Sequence, residues 1–114
     1  MLHLILHFAV PLAVALGFYR DTWLRVLLVL LATMLVDLDH LLASPVYDPA
    51  RCSIGFHPLH TWPAIVIYLL AFGLPAVLGP RAEDGRVRPV ARVIQWVGLG
   101  LLIHMALDGL DCMI

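Results

Sequence analysis

From Val26 to Val36 the chain carries no charge, and after four positions, Asp37-Leu38-Asp39-His40, it returns at once to Leu41-Leu42-Ala43. Two carboxylates and an imidazole thus sit inside an apolar span rather than at its end. In a membrane each such charge costs roughly 2.5–3.5 kcal/mol on insertion scales, so the cluster needs compensating partners. On an α-helix Asp37 and His40 share a face, with Thr33 on the same stripe, while Asp39 points about 160° away from Asp37. The pair reads either as a buried carboxylate–imidazole hydrogen bond or as part of a metal site.

Of 114 residues, 62% are hydrophobic and 13% charged, with a mean hydropathy of +0.96. A soluble domain carries roughly 25% charged residues, so the chain reads as an integral membrane protein. At about 20 residues per span, four spans use most of it. The expected fold is all-α, a polytopic membrane protein forming one four-transmembrane-helix bundle over residues 1–114, with helices at about 2–18, 24–43, 62–78 and 90–111. No basic tract or aromatic-basic interleaving points to nucleic acid.

The first apolar segment bears His3 and His7 at i, i+4, and Pro11 predicts a kink beside His7. No Lys or Arg precedes it, which argues for a retained helix over a signal peptide. In His57-Pro58-Leu59-His60-Thr61-Trp62-Pro63, Thr61 suits an N-cap and Pro63 a first helical turn. His104, Asp108 and Asp111 form one stripe on the last segment.

Six of the seven Arg, at 20, 25, 81, 86, 88 and 92, fall on one side of a four-span chain, and only Arg51 on the other. The positive-inside rule then places both termini and the 44–57 loop outside the cytoplasm of a bacterial inner membrane. All six histidines converge on that outer end, together with Asp37, Asp39, Asp108 and Asp111. One cation, Arg51, faces at least four carboxylates there, so a bound metal is expected, with a proton relay or a hydrogen-bonded polar core as alternatives. Zinc leads, with iron or manganese as substitutes, in one to three ions. The candidate metal group is Asp37, Asp39, His40, His57, His60, His104 and Asp108. Among these, Asp37, His57, His60 and His104 are the foremost ligands, and Asp39 is placed to orient a histidine. His7, His40 and Asp108 are the acid–base candidates, and His3, at a fraying terminus, is the weakest ligand. Cys52 and Cys112 fall on the same outer face and are expected to pair.

The phrase Asp37-Leu38-Asp39-His40, the stretch Arg51-Cys52-Ser53-Ile54-Gly55-Phe56-His57-Pro58-Leu59-His60, and His104 with Asp108 closely resemble an uncharacterised bacterial family of short four-span membrane proteins, a domain of unknown function. The resemblance covers nearly the whole chain and implies no activity. More loosely, the pattern looks like bacterial inner-membrane proteins described as metal-dependent hydrolases. Those are reminiscent of zinc-dependent phospholipase C and the P1-type nucleases, whose His-x-x-x-Asp ligands are matched here by His104 and Asp108. The chain has no counterpart of their amino-terminal Trp ligand.

The expected function is a membrane-embedded, metal-dependent hydrolase acting on an ester or phosphoester of a lipid or lipid-linked substrate at the outer face. The rival is a non-catalytic metal-binding or transport protein. A conduit would need polar residues in both halves of the bundle, and the inner halves offer little beyond Tyr68 and Gln95. Gly98 and Gly100 would also permit close helix approach in a homo-oligomer.

Overall fold

Four α-helices carry the chain in the computed structural model: α1 Leu2–Phe18, α2 Trp23–Ala32, α3 Trp62–Leu78 and α4 Pro89–Met113. The structure describes residues 2–42, 52, 54–79, 81, 83–86 and 88–113, and no β-strand forms among them. Arg51 and the loop at 44–51 lie outside the described residues. The fold is all-α, as the composition implies.

The longest helix, α4, packs against α1, α2 and α3, and two glycines make that approach close. A Cβ on Gly98 would stand 2.6 Å from the backbone nitrogen of Phe72 in α3, and one on Gly100 would stand 2.5 Å from Oγ1 of Thr33. Both glycines are therefore used within the bundle. Its apolar core is thin: Ala15, Val26, Leu30 and Trp96 form one cluster, and Val36, Tyr68 and Met105 another.

The second segment departs from the expected continuous α-helix over 24–43. At Thr33 it changes to a ten-residue 3₁₀ helix, Thr33–Leu42, far longer than the three or four residues usual for that form. At the junction the Thr33 hydroxyl donates to the carbonyl of Leu30, three residues back, competing with the α ladder. With three residues per turn, Thr33, Val36 and Asp39 stack on one buried face. Asp39 thus turns inward, and Thr33 shares its stripe with Asp39 instead of Asp37.

Pro11 sits within a continuous α1. Thr61 occupies the N-cap of α3 with Pro63 in the first turn, yet its hydroxyl donates to the Pro58 carbonyl instead of capping a helical N–H. A short 3₁₀ turn, Pro58–His60, precedes α3. The bonds that hold that turn include Gly55 N–H to the His60 carbonyl, His60 N–H to the His57 carbonyl, and the Tyr68 hydroxyl to the Leu59 carbonyl. Gly55 adopts φ +85°, a conformation that side-chain-bearing residues rarely take, so the turn can close on His60. Cys52 and Cys112 stand at disulfide distance, their Cα atoms 5.3 Å apart, joining this loop to the end of α4.

Candidate metal centre

Three segments bring four ligand atoms together: Asp37 from the long 3₁₀ helix, His60 from the turn before α3, and His104 and Asp108 from adjacent turns of α4. His104 Nε2 lies 2.9 Å from Asp37 Oδ1 and 3.3 Å from Asp108 Oδ2, and His60 Nε2 lies 3.5 Å and 3.0 Å from the same two oxygens. Four ligands at ~2.0–2.1 Å from a tetrahedral zinc ion stand about 3.3 Å from one another. Four of the cluster's six edges, 2.9 to 3.5 Å, match that spacing, and all four atoms lie within 4.8 Å of one another. His60, His104 and Asp108 are buried, while Asp37 is half-exposed and marks its open side. His60 Nε2 and Asp108 Oδ2, though close, make no hydrogen bond, leaving two buried polar atoms that a cation between them would satisfy.

The ring of His60 is oriented from behind. Asp39 Oδ2 accepts from His60 Nδ1 at 3.1 Å and from the Leu59 N–H at 2.8 Å, while Asp39 Oδ1 lies 3.1 Å from His40 Nδ1. With Nδ1 bound to a carboxylate, Nε2 is the nitrogen turned to the cluster, the carboxylate–histidine–metal arrangement of many metal sites. Burial works to lower the pKa of this ring, but Asp108, Asp37 and Asp39 outweigh it. With only protons to neutralise the cluster they raise it from 6.5 to about 10.

Two neighbouring groups hold the remaining histidines. His3 and His7 from α1 approach the other oxygen of Asp108, Oδ1, at 3.2 and 3.3 Å. His3 also lies 3.7 Å from the exposed Asp111. On the opposite flank Asp39, His40 and His57 gather, with the His40 and His57 rings stacked at 3.7 Å. The foremost sequence candidates therefore divide: Asp37, His60 and His104 meet in one group with Asp108, and His57 joins Asp39 and His40 in another. His3, the weakest sequence candidate, reaches Asp108. Its spacing of four from His7 put the two rings on one face of α1, without indicating what that face meets.

The family comparison covers the first three helical segments of the chain. A family model described as a family of unknown function, DUF6122, matches residues 1–77. The chain belongs to the DUF6122 family. No curated protein and no solved structure matches it. The DUF6122 match takes in His3, His7, the Asp37–His40 cluster and His57–His60, whereas His104, Asp108 and Asp111 on α4 lie beyond the matched residues. Membership agrees with the resemblance to an uncharacterised family and carries no activity with it.

Among the described residues α4 alone is long and apolar enough by itself to cross a membrane. Leu2–Phe18 and Arg20–Leu42 pass that test together across a bend of 118°, and Trp62–Leu78 is apolar but shorter. Arg25, Arg86 and Arg92 line one cleft with Thr22 and Trp96 near the start of α4. Asp108 follows Arg92 by ~24 Å along the helix, at 1.5 Å per residue.

Proposed function

We propose that this chain is a four-span membrane protein in which Asp37, His60, His104 and Asp108 hold a metal ion, with zinc the best fit, and that the site hydrolyses an ester or phosphoester of a lipid or lipid-linked substrate at the outer leaflet. The observation that carries it is the set of ligand-atom separations, 2.9 to 3.5 Å, across three segments of the chain.

The membrane reading is supported by an inverted distribution of polarity. His7, Thr33, Asp39, His57, His60, His104 and Asp108 are buried, whereas Leu4, Ile5, Phe8, Leu28, Leu38, Ile67, Leu70 and Ile94 are exposed. A water-soluble chain rarely presents so much apolar surface. At 1.5 Å per residue, 17-residue α1 and α3 measure ~26 Å, and α2 with its 3₁₀ extension reaches ~35 Å because 3₁₀ structure rises 2.0 Å per residue. These lengths suit a hydrocarbon core of about 30 Å. The cleft lined by Arg25, Arg86 and Arg92, with Asp84 paired to Arg86, supports a cytoplasmic placement of that end, away from the histidines.

A bound metal polarises an ester or phosphoryl oxygen and makes water nucleophilic near neutral pH. Hydrolysis consumes one water: its hydroxyl joins the acyl or phosphoryl group, the bond to the alcohol oxygen breaks, and the proton passes to that alcohol. Asp37 is the half-exposed member of the group, and His40, 3.6 Å from it, is one of the acid–base candidates beside it. The rival reading, a site that holds a cation without chemistry, takes support from four protein ligands, which close a tetrahedral zinc ion. Purified protein assayed on phospholipid and lipid-linked phosphate, with and without chelator, separates the two. Turnover abolished by chelator and restored by zinc supports hydrolysis, and stoichiometric metal without turnover supports the rival.

A further inference from the structure

We infer that Asp108 bridges two metal positions, and that the second, formed by His3, His7 and Asp108, is the open one at which water and a substrate oxygen bind. The inference rests on the metal centre proposed above and deepens it.

Asp108 is buried, and each of its oxygens meets two imidazoles. Oδ2 lies 3.0 and 3.3 Å from His60 and His104 Nε2, and Oδ1 lies 3.2 and 3.3 Å from His3 and His7 Nε2. Asp37, Asp39 and Asp111 share three of these rings, whereas among the carboxylates of the described residues His7 meets Asp108 alone. At His7 the tautomer is set locally: Nδ1 is 2.8 Å from the His3 carbonyl, which can only accept, so Nδ1 carries the proton. In the neutral ring His7 Nε2 then directs its lone pair at Asp108 Oδ1, 3.3 Å away. That atom is buried without a hydrogen bond, in a residue only 4% exposed. Lone pair against carboxylate oxygen is repulsive unless a cation lies between them.

The two positions differ in what they leave free. Asp37, His60, His104 and Asp108 supply four protein ligands to the first. His3, His7 and Asp108 supply three to the second, the number that keeps a coordination position for water. The second position also faces outward, since His3 is 39% exposed and Asp111 beside it 61%. A shared carboxylate suits paired ions at the ~3.5–4 Å spacing of two-metal hydrolytic sites. The third histidine group does not present a comparable site, because both oxygens of Asp39 already accept hydrogen bonds from His40, His60 and Leu59.

The test is metal counting and electron paramagnetic resonance on the full chain loaded with Mn²⁺, alongside His7→Gln and the more exposed His3→Gln, with helicity checked for each. About two ions per chain and an exchange-coupled signal are expected, falling to about one ion and an isolated-ion signal in both variants. One ion in the unaltered protein, unchanged by either substitution, overturns the second position and leaves the first standing. No ion in the unaltered protein overturns both. Two ions without lipid hydrolysis uphold the bridged pair while removing the hydrolase reading.

Discussion

Asp39 reaches across twenty-one positions to the buried ring of His60, its Oδ2 3.1 Å from Nδ1. That contact ties the long 3₁₀ helix to the turn before α3, and it decides which nitrogen of His60 faces Asp37 and Asp108. Asp39→Asn keeps the shape but removes the charge that makes His60 a strong ligand. Metal affinity is expected to fall about 10–100-fold with unchanged stoichiometry at saturating metal. Competition titration against a chelator measures it, and an unaltered affinity would remove Asp39 from the metal site.

The raised pKa of His60 gives a pH dependence of definite sign. Because the folded chain holds this proton more tightly than the unfolded one, the stabilisation is complete below about 6.5 and lost as pH rises through about 10. Metal competes for the same nitrogen, so its apparent affinity rises over that range. Chelated protein should therefore lose Tm from pH 6.5 to 10 while metal-loaded protein does not. Parallel curves would mean that His60 is not the group at which proton and metal compete.

Most of the helical layout was legible in the sequence, because long, predominantly apolar stretches bounded by Arg20, Pro45 and Gly79-Pro80 admit few other structures. The pairing of His104 with Asp108 was legible too, from a spacing of four on an apolar helix. The 3₁₀ geometry of 33–42 was not, since Val, Leu and Met give the same apolar run in either helix. Thr33, a hydroxyl inside that run, was the one local hint. The change in period turned Asp39 inward and left His57 beside His40 instead of in the cluster of Asp37. Nor could spacing place His3 against Asp108, because that contact depends on how α1 packs on α4.

Cys52 and Cys112 are expected to be oxidised in protein taken from the membrane. The pair closes a separation of 60 residues, worth on the order of 4 kcal/mol in the chain-entropy model. Reduction should weaken metal retention with little loss of helicity, because it frees the loop that carries His57 and His60 from the helix that carries His104. Non-reducing mass spectrometry after thiol blocking reads the bond directly. Two blocked thiols would refute it and, with it, the outward placement of both segments.

Single cysteines introduced as Leu2→Cys and Glu83→Cys, with Cys52 and Cys112 replaced by Ser, test the topology. A membrane-impermeant reagent should label position 2 in intact cells and position 83 only after permeabilisation. The reverse pattern would turn the histidines toward the cytoplasm and exclude an outer-leaflet substrate.

The metal centre itself is tested most directly by anomalous diffraction at the zinc edge from crystals of purified protein. A peak should lie among Asp37 Oδ1, His60 Nε2, His104 Nε2 and Asp108 Oδ2, and vanish in His60→Ala or His104→Ala protein that keeps its helices. Crystals grown with zinc that show the intact bundle and no peak among these four atoms would contradict it.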